Sequence, residues 1–427
     1  MSRRAKTAQR WIAAVAVVAL GGPLLGGCSS GGREEIRFTF SKREAIPFIS
    51  EVVKDYNSSQ DRYEAVLDTS GVDVISASFV RGNPPDLMLA NYNFEVSRFV
   101  DRCVLTDLSD TQAAASVDLE MFEPLMDQYG QCEGRVSALP YSVMSAAVIY
   151  NKEIFAEHDL EIPKTWDELI AVSDKLKQED VTPFYGTFKD DWTVGQGWFD
   201  YTVGGSIDVI EFFDALKAEG TDVGPESAVS FQKDFAEPMD KMTRLIKNYA
   251  NADADSRSYG DGNLAMAQGK AAMYLQGPWA FNEIAKTSPD LELGTFPLPM
   301  TNDEGDLSVR TNIDLAALIP TGSRHQEAAR DFLEYLYQPE IIQDYNESQL
   351  GFTPTKDAPA PTDPRLAGMI PYYEDGQIFQ GASVLIPKAI PVWSYAQAIA
   401  MGGDPTEYLE ILDNDWARLA FRQPKAE

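Results

Sequence analysis

The chain has 427 residues, 44% of them hydrophobic, and 66 Asp and Glu against 36 Lys and Arg, a formal net charge of −30. That balance excludes a nucleic-acid binder and an electrostatically adsorbed membrane protein, because both partners are anionic and would be repelled. The apolar content, without any low-complexity block, excludes a disordered chain, and the length exceeds what one hydrophobic core usually organises, so two lobes are expected.

At the N-terminus Arg3, Arg4, Lys6 and Arg10 precede the apolar run 11–20, which closes in small residues. This is the layout of an export signal over residues 1–27, since a membrane-spanning helix needs about 20 apolar residues. Cys28 follows, and residues 28–32 read as a polar, flexible tether. Removing the four basic residues of the signal leaves 32 Lys and Arg against 66 acids, a balance of −34. Cys103 and Cys132 then remain, an even number in an oxidising compartment: either a disulfide or two buried free thiols.

The run 34–40 alternates Ile36, Phe38 and Phe40 with polar neighbours and predicts a strand, followed by the turn Ser41-Lys42-Arg43. Ala45, Phe48, Ile49, Val52, Val53 and Tyr56 share one helical face, with Pro47 in the first turn. A strand over 63–69, a helix over 72–81 and a buried strand over 86–90 complete a β-α-β-α-β order, which predicts a parallel sheet with helices on its faces. Asn91, Tyr92 and Asn93 fall at the carboxyl end of the third strand, where such sheets bind ligands. They suit hydrogen bonds to a neutral polar ligand, or serve only as turn formers.

Residues 145–150 read as another apolar strand, and Thr165 with Glu168 predicts a capping box on a helix with Leu169, Val172 and Leu176 inside and Trp166 as a structural plug. The stretch 191–199 reads as a loop in which Trp192 and Trp198 lie among glycines, either stacking on sugar faces or packing in the core. A short strand over 271–275 stops at Gln276-Gly277-Pro278, and a helix starts beside Trp279. Trp279 is either a ligand platform at a strand end or a core residue. Downstream come an apolar strand over 310–320, a capping box of Ser323 and Gln326 before the helix of Ala329, Phe332, Leu333 and Leu336, a hinge-like break at 350–355, a Pro-rich surface loop at 358–364, and a helical tail from Gln380 carrying Trp393 and Trp416.

Catalytic constellations are scarce. His158 and His325 form no metal-ligand cluster, there is no phosphate-cradling loop or nucleophile elbow, and Asp253-Ala254-Asp255 lacks the Gly and distal Glu of a calcium loop. No carboxylate pair for glycoside hydrolysis stands out among 66 acids. No cofactor and no metal are expected.

Several pieces, in order along the chain, resemble the solute-binding lipoproteins of ABC importers, specifically the sugar-binding group similar to maltose-binding protein. They are Leu25-Gly26-Gly27-Cys28, Pro85-Asp86 with its strand, Val148-Ile149-Tyr150-Asn151-Lys152, Pro163-Lys164-Thr165-Trp166-Asp167-Glu168-Leu169, Gly269-Lys270-Ala271-Ala272-Met273, Gly277-Pro278-Trp279-Ala280, and the helix Ala328-Ala329-Arg330-Asp331-Phe332-Leu333. The resemblance implies an α/β, two-lobed, type II periplasmic-binding-protein-like fold with a hinge of three crossings, near 144–147, 307–312 and 349–353. Lobe 1 would comprise 33–145 plus 310–350, and lobe 2 would comprise 146–309 plus 351–427. It implies lipid on Cys28, an extracytoplasmic monomer held to the membrane by that lipid alone, and delivery of solute to ABC permease subunits. Cleft positions carried over are Ser41, Lys42, Asn91, Tyr92, Asn93, Met144, Trp279 and Trp393, with Trp192 or Trp198 as further stacking partners. Two positions depart from the maltose binder: Met144 replaces a carboxylate and Ala90 an aromatic, so a different carbohydrate is implied. Rival readings are a peptide or polyamine binder on the same fold, or an exported carbohydrate-active enzyme. A polyamine site would need several carboxylates.

Overall fold

The structure is a computed structural model that describes residues 32–70, 72–126, 132 and 134–420. The export signal over 1–27, the lipidation residue Cys28, most of the tether and the last residues of the tail lie outside the described residues.

Two sheets organise the body from Glu34 onward. The larger has the order β10-β9-β3-β1-β2, with β4 also paired to β9. Its strands are β1 (Glu34–Phe40), β2 (Tyr63–Asp68), β3 (Leu87–Ala90), β4 (Leu139–Ala146), β9 (Val309–Leu318) and β10 (Ile378–Phe379). The smaller sheet runs β6-β7-β5-β8, from β5 (Val148–Asn151), β6 (Thr182–Phe184), β7 (Ala271–Tyr274) and β8 (Leu293–Phe296).

The expected parallel core is present: β1 pairs parallel with β2 and with β3. The alternation that marks β1 buries Ile36, Phe38 and Phe40 completely, and Phe38 packs edge-on against Phe332 at 5.1 Å. Helix Ile46–Ser59 carries Pro47 in its first turn and buries Ile49, Val52, Val53 and Tyr56, the face its spacing predicts. Asp86, before β3, is a staple rather than a ligand group. Its carboxylate accepts from Arg37 N at 2.9 Å and from the Ser323 hydroxyl at 2.6 Å.

The chain changes sheet abruptly. Only Ala147 separates β4, paired to β9, from β5, paired to β7 and β8. It returns from β8 to β9, and after helix Pro339–Gln349 it passes along β4 a third time, where Val143 and Phe352 exchange backbone hydrogen bonds of 3.0 and 2.7 Å. The start of β9 is pinned by a buried ion pair, Arg310 Nε to Asp200 at 2.9 Å, and Asp200 also accepts from the amide and hydroxyl of Ser383. Cys103 and Cys132 form a disulfide with Cα atoms 5.9 Å apart, as one of the two sequence readings expects.

Three local expectations are corrected. Residues 191–199 are helical, continuing into Asp200–Gly204, with a wide π turn over Val194–Phe199. The glycines there are packing notches rather than loop formers: a Cβ on Gly195 would collide with the ring of Trp393, and one on Gly197 with the carbonyl of Leu275. Ser323 and Gln326 form no capping box, because Ser323 donates to Asp86 and the Gln326 amide turns back to Pro320 O. Among the described residues the tail is α-helical over Val392–Ala400 and Pro405–Ala420, after a short 3-10 turn at Ala382–Leu385. Thr165 does cap its helix, accepting from Glu168 N, while Glu168 accepts from Lys164 N instead of closing the box.

Candidate functional site

Two clusters of predicted residues assemble. The first forms where β1 and β3 end. Strand β9 runs antiparallel past β3, its last pair there being Ala90 with Ala316, so Asp314 lies just beyond the carboxyl end of β3. Lys42, directly after β1, donates to Asp314 Oδ2 at 2.6 Å, and both side chains are largely buried. Asn91 donates to the carbonyl of Asp314 at 2.5 Å and to its Oδ1 at 3.2 Å. Ser41 is exposed beside them, and Glu44 stands 4.0 Å from the Lys42 ammonium. The cluster therefore offers a carboxylate acceptor, an ammonium, an amide and a hydroxyl within one patch.

The second cluster is aromatic. Trp279 is half-buried, and Gly277, by lacking a side chain, leaves room for its ring. Its indole donates to Gln276 Oε1 at 3.2 Å, and the same amide donates to Thr193 O at 3.4 Å. The Tyr259 hydroxyl donates to Trp279 O at 3.3 Å, and the Tyr259 ring meets Trp192 edge-on at 4.9 Å. Trp393 lies half-buried in the notch over Gly195, its indole N–H without a partner among the described residues. Burial raises the Tyr259 phenol above its ordinary pKa, and the negative charge of Glu44 adds to that rise.

Other predicted residues go elsewhere. Trp198 is 1% exposed and packs against Phe184 and Phe188, so the exposed stacking loop expected for it is corrected to a core position. Tyr92 is 2% exposed, with its hydroxyl on Met126 O, which places it inside the lobe rather than facing solvent. The Asn93 carbonyl caps helix Phe94–Asp101 by accepting from Glu95 N and Val96 N. Met144 is 5% exposed and is registered with Asn312 between β4 and β9.

Asp314, Gln276 and Tyr259 were not anticipated. For Asp314 a signal existed: Arg310, Asn312 and Asp314 alternate with Ile313 and Leu315, a polar face inside an otherwise apolar strand. Gln276 and Tyr259 carry no comparable pattern.

Chemically, one cluster carries hydrogen-bond donors and a carboxylate acceptor, and the other carries aromatic rings. Among the described residues no group of three or more His, Cys, Asp or Glu side chains could hold a metal, and no helix is long and apolar enough to cross a membrane.

The chain is similar to known proteins along most of its length. It is 27% identical over 299 residues to an uncharacterised ABC transporter extracellular-binding protein of Pyrococcus horikoshii, covering 68% of this chain and 63% of that one. It is 28% identical over 217 residues to the multiple sugar-binding protein of Streptococcus mutans, 49% of each chain. The chain thus spans about half to under two thirds of these relatives' length. Among solved structures, RafE in complex with raffinose superposes with a TM-score of 0.75 at 21% identity, over 90% of this chain and 99% of that one. An open conformation of a Bacillus subtilis binding protein gives 0.76 at 17%, over 92% and 98%. The fold is accordingly the two-lobed, type II solute-binding fold expected from the sequence. The model of the bacterial extracellular solute-binding protein family matches residues 49–343, and the chain belongs to that family.

Proposed function

We propose that the protein is the substrate-binding component of an ABC importer, capturing a sugar or oligosaccharide between two lobes and delivering it to permease subunits. The observation that carries this reading is that the chain presents two complementary sets of side chains, the hydrogen-bonding Lys42–Asp314–Asn91 cluster and the aromatic residues Trp279, Trp192 and Trp393. A sugar ring has hydroxyls at its edge that both donate and accept, and C–H faces that lie on aromatic rings, so it matches both clusters at once. Relatives named for sugar binding, and structural neighbours described with raffinose and with stachyose, support the same ligand class.

In this reading lobe 1 comprises 33–145 plus 310–350 and lobe 2 comprises 146–309 plus 351–427, and ligand shifts an open–closed equilibrium about the crossings. Ser41 and Asn91 bond hydroxyls, while the Lys42–Asp314 pair fixes their direction. Trp198, Tyr92 and Met144 act from behind as packing. Lipid on Cys28 holds the monomer at the membrane surface, and the family's role is binding rather than catalysis.

A thermal-shift and calorimetric screen of mono- and oligosaccharides, amino acids, peptides and polyamines tests the reading. A sugar is expected to stabilise the protein, and Trp279→Ala is expected to weaken its binding by about 1–3 kcal/mol while the variant stays folded. Stabilisation by a polyamine or peptide alone would overturn the carbohydrate class.

A further inference from the structure

A second cavity lies in the smaller sheet, at the end away from Trp279. Strand β5 is antiparallel to β7, with Ile149 opposite Tyr274 and Tyr150 opposite Met273. Because the strands run antiparallel, the Gln276–Trp279 segment leaves β7 on the Ala147 side of this pairing, whereas Tyr150 and Lys152 lie on the side toward the start of β7. On the edge strand β8, Gly294 pairs with Tyr150. A Cβ on Gly294 would stand 2.5 Å from Tyr150 Cε1 and 2.9 Å from Lys152 Cε, so a glycine is needed for both side chains to lie across the strand.

These side chains wall a cavity of about 200 Å³ that Ile162, Pro163, Phe296, Leu307 and Tyr372 help to close. Its far wall is tied down by the Thr295 hydroxyl, which donates to Arg365 O at 2.9 Å. Although acids outnumber bases 66 to 36 in the chain, the cavity is lined by two lysines and no carboxylate. Lys164 is occupied by Glu304 at 3.2 Å. Lys152 is half-buried and its ammonium has no hydrogen-bond or ion-pair partner among the described residues, while burial holds the Tyr150 phenol above its ordinary pKa, as a protonated donor.

We infer that this cavity is a second ligand site, distinct from the sugar site, for a small organic anion with one carboxylate on an apolar, ring-sized body. A partly desolvated ammonium without a partner favours a carboxylate, and a phenol donor beside it adds a second bond. The aromatic and aliphatic walls take the body, and the volume is roughly that of cavities that hold a single ring.

Benzoate is the probe, titrated calorimetrically into the purified protein beside benzyl alcohol and acetate. Saturable benzoate binding is expected, with benzyl alcohol and acetate weaker. Lys152→Met should weaken benzoate by about tenfold or more, the value of one charge-assisted hydrogen bond, without altering the melting temperature. Gly294→Ala, which crowds Tyr150 and Lys152, should weaken it too, and Trp279→Ala should leave it unchanged. No saturable binding, equal binding by Lys152→Met, or loss on Trp279→Ala would each overturn the inference.

Discussion

The polar and aromatic clusters are built by opposite means. Lys42 and Asn91 follow the ends of paired strands, and Asp314 lies within β9, where the β3–β9 register fixes it beyond Ala90. The tryptophans sit on short helices and turns, and their rings are seated by missing side chains at Gly195 and Gly277. One cluster is positioned by backbone hydrogen bonds and a charge pair, the other by steric notches. The first should therefore resist crowding and be sensitive to charge, and the second the reverse.

The sharpest way to break this contrast is at the pin that holds β9, since Asp314 rides on that strand. Asp200 is wholly buried and Arg310 nearly so. Asp200→Ala leaves a buried guanidinium unpaired, and a loss of about 3–5 kcal/mol in unfolding free energy is expected by denaturant titration. A double replacement, Asp200→Leu with Arg310→Met, should recover much of it. If the single variant lost nothing, the pin would be no constraint on β9. Burial also raises the Asp200 carboxyl above its ordinary pKa despite Arg310.

Next in size is the notch under Trp393. Gly195→Ala forces a methyl group into that ring, and overpacking costs about 1–3 kcal/mol of stability. Sugar affinity should fall with it, read by calorimetry, because the displaced ring is one of the proposed stacking faces. At the polar cluster, Asp314→Asn keeps the shape and removes the charge facing Lys42. It should cost about 1–3 kcal/mol of stability, because the largely buried Lys42 ammonium loses its anion, and lower sugar affinity by more than that, a split that uniform destabilisation would not produce.

What could be read from the sequence follows the range of the interactions involved. Strand β1 was expected over 34–40 and runs Glu34–Phe40, because alternation is written into adjacent residues. The Leu25–Cys28 motif and the export-signal layout expected before it are local patterns too, and they lie outside the described residues. Lys42 and Asn91 were placed by their strand ends, but Asp314, which binds both, is 272 positions from Lys42, and no short window joins them. Trp192 and Trp198 were given one loop because Gly195 and Gly197 look like breakers. Their meaning depends on Trp393 and Leu275, which arrive from elsewhere in the chain. Ser323 failed as a cap for the same reason, since Asp86 competes for its hydroxyl.

The smallest expected effect concerns the head of the helix Tyr259–Ala267, which carries the ring that meets Trp192. Ser258 and Asp261 form a full capping box there, Asp261 accepting from Ser258 N at 2.8 Å and from its hydroxyl at 2.7 Å. Those bonds hold the Asp261 carboxyl below its ordinary pKa. A lowered folded-state pKa means that the carboxylate's contribution is fully present above the unfolded value, near 3.8, and is lost as pH falls through the folded one. Asp261→Asn should cost about 0.5–1 kcal/mol at neutral pH and almost nothing in strong acid, where the native carboxyl is protonated as well. Melting temperatures of the two proteins should therefore converge as pH drops. A gap that persists at low pH would mean that the carboxylate charge is not what secures this helix, and that the aromatic cluster owes its order to packing alone.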